Sequence, residues 1–306
     1  MSNRIDNLKK VYEEIEIPNN LDEVVNNALK NGGNKMNKEK ANVNRRWIKG
    51  GGIAAAVAIV FTISVNTMPV FANSLIKIPG VGQLVKVLQF KDGKGEGGKI
   101  TDGSDVNIIR LKANKNSESI IINFAQDGEG STTAPSYKVD YKNNPYTMTF
   151  TISGARKLNA EEYFEKLKES KYISDVYRLM TLDDSMVRFT VVFNKPIKYE
   201  VKEYKEPAYL EVDIKEDKVK EEIMYSVRTT SQPFGEGIGQ VEEILFEESE
   251  KRMLKDLKGT FLVEVGIYNS KEEAEKKLQE VKGKYASQLK FFIEERKGAD
   301  FPNAFN

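Results

Sequence analysis

The chain contains neither cysteine nor histidine among its 306 residues. The absence of cysteine excludes disulfide bonds, and it removes the usual clue to the redox compartment. The absence of histidine removes the commonest general base and the commonest transition-metal ligand, so Ser-His-Asp, Cys-His and zinc-type sites are excluded. A carboxylate pair or a Ser-Lys arrangement stays formally open, but nothing marks one pair among the 46 acidic residues. We therefore expect no enzyme activity, no metal and no cofactor.

Long apolar runs are scarce, and the exception is a stretch without charge at residues 50–76. Asp, Glu, Lys and Arg make up 30% of the chain, so 27 consecutive uncharged residues require an explanation. A helix needs roughly 18–20 apolar residues to cross a bilayer. We predict a transmembrane helix over residues 49–68, ended by Pro69. A buried core helix and the apolar part of a cleavable signal peptide stay open as alternatives.

The charges on the two sides of this stretch differ, and the difference predicts its orientation. Seven basic residues lie between positions 30 and 49, whereas Lys77 is the single one between positions 66 and 85. Because Lys and Arg are retained on the cytoplasmic side of a membrane helix, we expect the N-terminus in the cytoplasm. The protein is then a single-pass protein of the cell membrane with an extracytoplasmic C-terminal part. Its net charge of +1 gives no field that would attract nucleic acid, and we expect no direct contact with it.

Residues 1–48 are polar, but they contain two stretches with helical periodicity and then a basic linker. In the second stretch Asn20 is placed as an N-cap, Glu23 completes a capping box, and Gly32 can end the helix. Two short amphipathic helices without a core of their own need another surface to bury their apolar faces. They can bind a partner protein, lie on membrane lipid or stay mostly unfolded. The residues expected to bind a partner are Leu8, Val11, Tyr12, Leu21, Val24, Val25 and Leu29.

A proline-bounded motif follows the predicted membrane helix. Residues 64–82 read SVNTMPVFANSLIKIPGVG, and the upstream residues 17–25 follow the order IP-x-x-L-x-x-x-V. Together with the basic linker and the single membrane helix, this arrangement resembles Gram-positive membrane proteins of the anti-sigma-factor type. Met68 departs from the pattern, in which Ser is usual. The resemblance covers residues 10–95, which is under a third of the chain.

The resemblance implies that the cytoplasmic helices hold an extracytoplasmic-function sigma factor, and that external proteolysis starts its release. Ala72 ends the small-x-small sequence Val70-Phe71-Ala72 and is the candidate cleavage site. The alternative to a cleavage site is that the apolar stretch after Ala72 packs onto the external part as an ordinary helix or strand, without a role in proteolysis. Residues 69–100 are accordingly predicted to be a juxtamembrane segment followed by a Gly-rich flexible linker, Lys91–Lys99.

Beyond residue 100 apolar residues alternate with polar ones, which is typical of strands with one buried face. The stretch Ser136–Ile152 parallels Lys198–Ile214, and upstream of each copy residues 108–124 parallel residues 176–193, so the chain contains an internal repeat. One helix is expected between the two copies, with Asn159 as its cap. Two such units predict a β-sandwich or a pair of small β modules at residues 101–219. The repeated motif is similar to the opening of AMIN domains, which are amidase-associated modules that bind peptidoglycan. The residues expected on the buried faces are Met148, Phe150, Ile152, Leu210, Val212, Ile214, Phe189, Val191 and Phe193. In the last of these strands the buried residues alternate with Thr190 and Val192.

The pattern becomes mixed at residues 220–298. We expect strands at Met224–Arg228, Thr260–Tyr268 and Leu289–Glu294, with helices at Val241–Leu257 and from Ser270 onward. This order predicts a small C-terminal α/β domain of the ferredoxin-like type. The sequence FLVEVGIYNSKEEAEKKLQEV also resembles the second half of a SPOR domain, another peptidoglycan-binding module.

The predicted fold class is α+β: N-terminal amphipathic helices, one transmembrane helix, an extracytoplasmic mainly-β repeat domain and a small C-terminal α/β domain. The predicted function is that of a membrane-anchored anti-sigma-like regulator, which sequesters a sigma factor and senses the cell envelope. Membrane lipid is a second expected partner, and peptidoglycan is a candidate partner outside the cell. The alternative is a membrane-tethered peptidoglycan-binding structural protein without a regulatory partner.

Overall fold

The computed structural model describes residues 82–114 and 117–305. The amphipathic helices expected in residues 1–48 and the membrane helix expected at residues 49–68 lie outside these ranges. Within the two ranges, no helix combines the length and the apolar character needed to cross a membrane. Strands dominate and helices are few, so the predicted α+β class with a mainly β character is confirmed for this part of the chain.

The first part of the described chain consists of strands with one short helical segment between them. A 3-10 helix at Asn159–Tyr163 continues into the α-helix α1 (Phe164–Leu167). The strands are β1 (Gln83–Val87), β2 (Lys94–Gly97), β3 (Ser104–Ala113), β4 (Glu118–Gln126), β5 (Glu129–Gly130), β6 (Tyr137–Lys142), β7 (Thr147–Ser153), β8 (Ala155–Leu158), β9 (Ile173–Arg178), β10 (Met186–Phe193), β11 (Ile197–Lys205) and β12 (Tyr209–Glu216).

These strands form a sandwich of two sheets with one apolar core between them. The first sheet has the order β1-β11-β12-β4-β3-β8, with β5 beside β4, and the second has the order β2-β6-β7-β10-β9. Side chains of a strand alternate between its two faces, so every second residue enters the core. The predicted alternation is confirmed in β7 and β12, whose inward residues are fully buried: Met148, Phe150, Ile152, Leu210, Val212 and Ile214.

Each of the two sequence repeats contributes one hairpin to each sheet, so every sheet combines a hairpin from both repeats. Strands β3, β4, β11 and β12 share the first sheet, whereas β6, β7, β9 and β10 share the second. Ile120 is paired with Val212 where β4 meets β12, and Phe189 is paired with Phe150 at the equivalent place where β10 meets β7. Each sheet therefore needs strands from both repeats, and the sandwich closes only when both are present.

The C-terminal part has the chain order βαββαβ, which is the order of ferredoxin-like units. Its elements form an antiparallel sheet of order β14-β15-β13-β16 with two accompanying helices. The second helix begins as expected, because Ser270 Oγ accepts a hydrogen bond from the Glu273 amide at 3.2 Å. The elements are β13 (Ile223–Thr229), α2 (Glu236–Ile244), β14 (Arg252–Lys255), β15 (Phe261–Tyr268), α3 (Lys271–Tyr285) and β16 (Phe291–Lys297).

The βαββαβ unit covers the outer face of β9 and β10. Tyr177, Leu179 and Val192 join residues of α2, β15 and α3 in a second apolar cluster. Beside this cluster both terminal nitrogens of Arg188 donate to Glu242, at 2.5 and 2.9 Å. The expectation that β10 buries a single face was therefore wrong, since Val192 on the other face is also fully buried.

The predicted flexible linker Lys91–Lys99 is also corrected by the structure. Its central residues form β2, which pairs with β6 and aligns Gly95 with Val139. Gly95 is buried, and a Cβ atom there would lie 3.2 Å from the ring of Phe90. The absence of a side chain thus serves close packing in the sheet and does not indicate a linker.

Two helix predictions were wrong in detail. Asn159 is the first residue of the 3-10 helix, and the N-cap position is Leu158, which makes no capping hydrogen bond with its side chain. The helix expected at Val241–Leu257 spans Glu236–Ile244 instead, and Arg252–Lys255 forms β14 against β15. The apolar residues of β14 happen to have a helical spacing relative to those of α2. The predicted helix therefore extended past the point where α2 ends.

Candidate functional site

The residues singled out from the sequence lie outside the part of the chain that the structure describes. This applies to the expected partner-binding residues and to the candidate cleavage site: Leu8, Val11, Tyr12, Leu21, Val24, Val25, Leu29 and Ala72. The described chain begins at Gly82, ten residues after Ala72. Its first element is β1, which pairs with β11 at the edge of the first sheet. The chain is therefore already part of a folded sheet a short distance beyond Ala72.

A pocket of about 910 Å³ lies where the sandwich meets the C-terminal unit. Its walls come from the turn between β6 and β7, the start of β11, the connection into β13 and the end of β15. The volume is within the range of roughly 300–1,000 Å³ that is usual for small-molecule sites. Tyrosines, asparagines and charged residues line it, namely Tyr141, Tyr146, Tyr199, Tyr268, Asn143, Asn144, Asn269, Asp92, Asp217, Glu222, Glu250, Glu264, Lys142 and Lys220.

The tyrosines of the pocket stay protonated at neutral pH. Burial raises the pKa of Tyr199 to about 12, and the nearby Asp140 adds to this effect. The rings of Tyr141 and Tyr199 contact each other, with their centroids 4.7 Å apart. Burial also raises the pKa of the other three hydroxyls, those of Tyr141, Tyr146 and Tyr268. The pocket thus presents neutral phenol groups, two of them on rings that contact each other.

One wall of the pocket is a turn of the sandwich that two arginines of the C-terminal sheet hold. Asn144 is 3% exposed, and its carbonyl oxygen accepts hydrogen bonds from Arg252 and, at 2.9 Å, from Arg296. Arg252 also donates to the carbonyl oxygen of Pro145 and to Oγ1 of Thr147, both at 3.2 Å. This wall is therefore formed before any ligand arrives, as is usual for binding pockets.

The same two arginines share the carboxylate of Glu264, which is 2% exposed, and Arg296 also pairs with Glu294 at 3.0 Å. Glu264 accepts hydrogen bonds from Arg252 Nε at 2.6 Å, from Arg296 and from the Ser226 hydroxyl. Burial alone would raise the pKa of Glu264, but the two guanidinium groups outweigh it and bring the pKa to about 2. The carboxylate is therefore ionised at neutral pH and serves to balance charge at the junction.

The sequence left a Ser-Lys arrangement formally open. On the first sheet a serine, a carboxylate and a lysine do lie together. Ser119 Oγ donates to Asp213, and Lys202 Nζ donates to Asp213 at 2.6 Å and to Glu200 at 3.0 Å. Burial alone would lower the pKa of Lys202, but its hydrogen bonds to the two carboxylates outweigh it and raise the pKa. A lysine that activates a nucleophile needs a lowered pKa, so this cluster does not fit such chemistry. Over the described ranges, no group of three or more acidic side chains is placed to hold a metal ion.

Sequence reasoning did not identify the pocket. Its lining residues come from segments that are far apart in the chain, and only the two sheets of the sandwich together with the C-terminal sheet bring them close. One signal was available, because the two repeats differ at their equivalent turns. The first repeat reads Asn-Asn-Pro-Tyr at residues 143–146, and the second reads Lys-Glu-Pro-Ala at residues 205–208. The asparagines and the tyrosine that line the pocket are thus specific to the first copy.

Two comparisons relate this chain to known proteins. A family model described as a domain of unknown function (DUF4179) matches residues 42–152, a little over a third of the chain. The chain is also 35% identical over 118 residues to anti-sigma-V factor RsiV of Bacillus subtilis (strain 168). These matches support an anti-sigma-factor-type family. The aligned region is 39% of this chain and 38% of RsiV, so the chain spans well under half of that relative. No solved structure matches the chain.

Proposed function

We propose that this chain is a membrane-anchored anti-sigma-type regulator, which sequesters an extracytoplasmic-function sigma factor and senses the cell envelope. The observation that carries the proposal is the 35% identity over 118 residues to anti-sigma-V factor RsiV. A regulatory role without catalysis agrees with that similarity. The uncharged stretch at residues 50–76 and the basic residues before it support the membrane anchor and the cytoplasmic N-terminus.

In the proposed organisation, residues 1–48 hold the sigma factor, residues 49–68 cross the membrane, and residues 69–100 lead into the external part. The external part consists of an AMIN-like unit at residues 101–219 and a SPOR-like unit at residues 220–298. The apolar faces of the cytoplasmic helices hold the sigma factor, and the state of the external part determines whether that hold persists.

Cleavage near Ala72 would release the cytoplasmic part from this control. Gly82 is ten residue steps beyond Ala72, and an extended chain of that length spans at most about 35 Å. Strand β1 follows immediately and is anchored to β11, where the Leu88 amide donates to the Val201 carbonyl oxygen at 2.8 Å. A folded sandwich this close to Ala72 supports a steric control of protease access. Replacing Ala72 by Phe should then block processing and signalling, whereas Ala72→Ser should preserve both; unchanged processing of the Phe variant would exclude this site.

The sigma-factor proposal is tested by co-purification of the full chain in detergent from cells that overexpress the candidate sigma factors. The variant Val25→Asp places a charge on the predicted apolar face, and Asn26→Asp places the same charge on the predicted polar face. We expect the wild type and Asn26→Asp to retain a sigma factor and Val25→Asp to lose it. If no sigma factor is retained even on overexpression, the proposal fails. The structural-tether alternative instead predicts sedimentation with purified peptidoglycan and no consequence of deleting residues 1–46.

A further inference from the structure

The first sheet of the sandwich has one face in the core and one face turned outward. The second sheet covers the inner face, and the C-terminal unit packs on the far side of the second sheet, against β9 and β10. Over residues 82–114 and 117–305, neither of the two apolar clusters includes a residue of the outward face. The outward face is therefore not part of the packing that holds the described fold together.

One row of residues across this outward face is largely apolar, and we name it the apolar strip. Strand pairing aligns its members on five neighbouring strands: Leu84, Tyr204, Tyr209, Asn123 and Ile108. All five are half-buried, and the rings of the two tyrosines stack with their centroids 4.4 Å apart. Aromatic and aliphatic side chains thus form a continuous line from β1 to β3.

The neighbouring rows of the outward face consist mainly of charged residues that pair with one another. Lys202 binds Asp213 at 2.6 Å and Glu200 at 3.0 Å, and Lys112 binds Glu211 at 3.3 Å. Covering such pairs would remove charged groups from water, which is costly. The apolar strip is the part of the outward face whose burial by another segment would be favourable.

The described chain begins in contact with the apolar strip. Gly82 is buried, and a Cβ atom there would lie 2.7 Å from the Tyr209 ring and 3.0 Å from Cβ of Tyr204. The backbone of Gly82 therefore lies against the two stacked rings. The residues that precede Gly82 start from this contact and not from a remote part of the surface.

Residues 75–81, which we name the entry segment, have the length and composition that the apolar strip requires. They read LIKIPGV and carry a single charge. Ile108 lies two strands beyond Tyr209, a distance of about 10 Å, and Ile78 is separated from Gly82 by at most about 14 Å of extended chain. The entry segment can therefore reach the far end of the strip. Its apolar residues are Leu75, Ile76, Ile78, Pro79 and Val81.

We propose that the entry segment docks on the apolar strip and covers the stacked rings of Tyr204 and Tyr209. A second copy of the chain is the rival occupant. The covalent connection at Gly82 gives the entry segment an effective concentration in the millimolar range, which favours it over a separate molecule. The inference goes beyond the proposed function, because it requires neither a sigma factor nor cleavage at Ala72.

Trypsin can report the docking, because Lys77 lies inside the entry segment and is the single basic residue between positions 66 and 85. The full chain in detergent is digested briefly, and mass spectrometry follows the fragment that begins at Ile78. Ile108→Asp places a charge on the apolar strip, and Lys215→Asp places one at an exposed position elsewhere on the outward face. Because cleavage follows the undocked population, Ile108→Asp should raise the rate about tenfold and Lys215→Asp should change it by less than about twofold.

A second measurement keeps the proposal testable if Ile108→Asp does not fold. The chain has no cysteine, so the double variant Ile78→Cys/Ile108→Cys contains one possible disulfide within the chain. The control is Ile78→Cys/Lys112→Cys, because Lys112 is an exposed residue of the same strand, roughly 13 Å beyond Ile108. On oxidation the first pair should form its disulfide about tenfold faster than the control pair, since a disulfide requires close approach of the two residues.

Equal rates of cleavage after Lys77 in the wild type and in Ile108→Asp would overturn the proposal. Equal rates of disulfide formation in the two cysteine pairs would also overturn it, because a segment that moves freely reaches the exposed Lys112 position as readily. Disulfides between two chains, together with protection from trypsin that increases with protein concentration, would assign the apolar strip to a second copy instead. Sigma-factor retention does not enter either measurement, so failure of the docking leaves the proposed function untouched.

Discussion

The charge of Glu264 should contribute about 3 kcal/mol to the stability of the folded part of the chain. Its side chain is 2% exposed and balances two buried guanidinium groups, those of Arg252 and Arg296. The pKa of Glu264 falls from an ordinary value of 4.5 to about 2 in the folded protein. At 1.36 kcal/mol for each unit of pKa, this difference corresponds to about 3 kcal/mol of the free energy of unfolding.

The sign of the pH dependence follows from the depressed pKa. A carboxyl group whose pKa is lower in the folded state stabilises that state fully above the pKa of the unfolded chain, near 4.5. The contribution is then lost as the pH falls from about 5 through the folded pKa of about 2. Because Glu264→Gln cannot ionise, the difference in unfolding free energy between wild type and variant should be largest at pH 7 and disappear towards pH 2.

The assay is urea denaturation of the full chain in detergent, followed by the near-ultraviolet circular dichroism of the tyrosines. At pH 7 Glu264→Gln should lose about 3–5 kcal/mol, because it leaves the buried Arg252 without its counter-charge and Arg296 with Glu294 alone. Glu295→Gln is the control, since Glu295 is an exposed glutamate on β16 and should change the stability by less than about 0.5 kcal/mol. Equal losses in the two variants, or a difference that does not vary between pH 7 and pH 2, would refute the reasoning.

Three further predictions concern the sandwich and α3, and urea denaturation measures each of them. Ser270→Ala removes the N-cap of α3 and should lower the free energy of unfolding by about 1 kcal/mol. A change near zero would show that the cap does not contribute to stability. Gly154 and Gly128 both have a positive φ, but a Cβ atom at Gly154 would lie 1.9 Å from a backbone oxygen and one at Gly128 would meet nothing within 4 Å. Gly154→Ala should therefore cost at least 1 kcal/mol more than Gly128→Ala, and equal costs would contradict the expected clash between Cβ and the backbone. Because the chain has no cysteine, replacing the paired residues Gln83 and Lys205 by cysteine should give a single disulfide between β1 and β11. This disulfide should raise the free energy of unfolding by up to about 4 kcal/mol relative to the reduced form.

Sequence reasoning identified the strands that border the core between the two sheets. In β7 the residues Met148, Phe150 and Ile152 alternate with threonines, and this pattern depends only on the pleat of a single strand. It failed where burial depends on a distant part of the chain. Val192 is buried because the βαββαβ unit covers the outer face of β10, and Gly95 is buried because the ring of Phe90 packs on it. Neither neighbour is indicated by the local pattern.

The candidate pocket could not have been predicted for the same reason. Asn144, Tyr199 and Tyr268 belong to three elements, and their proximity follows from hairpins exchanged between two sheets and from a third sheet placed beside them. A repeat in the sequence indicates two similar units, but it does not indicate whether each unit closes by itself. The buried partners Arg252 and Glu264 were equally hidden, because Arg252 lay within a predicted helix and is instead part of β14.

The exchange of hairpins also limits what can be transferred from the family match. The matched residues 42–152 end within β7 and contain β1 and β4. Yet β1 pairs with β11, β4 pairs with β12 and β7 pairs with β10, and all three of these partners lie beyond the match. The matched segment alone would leave each of these strands with an open edge, which favours pairing with other chains over a closed sandwich. Tyr199, Tyr268 and Arg252, which form or hold the pocket, also lie beyond residue 152. The pocket is therefore formed largely by the part of the chain that the family model does not cover, and its role has to be established on this protein itself.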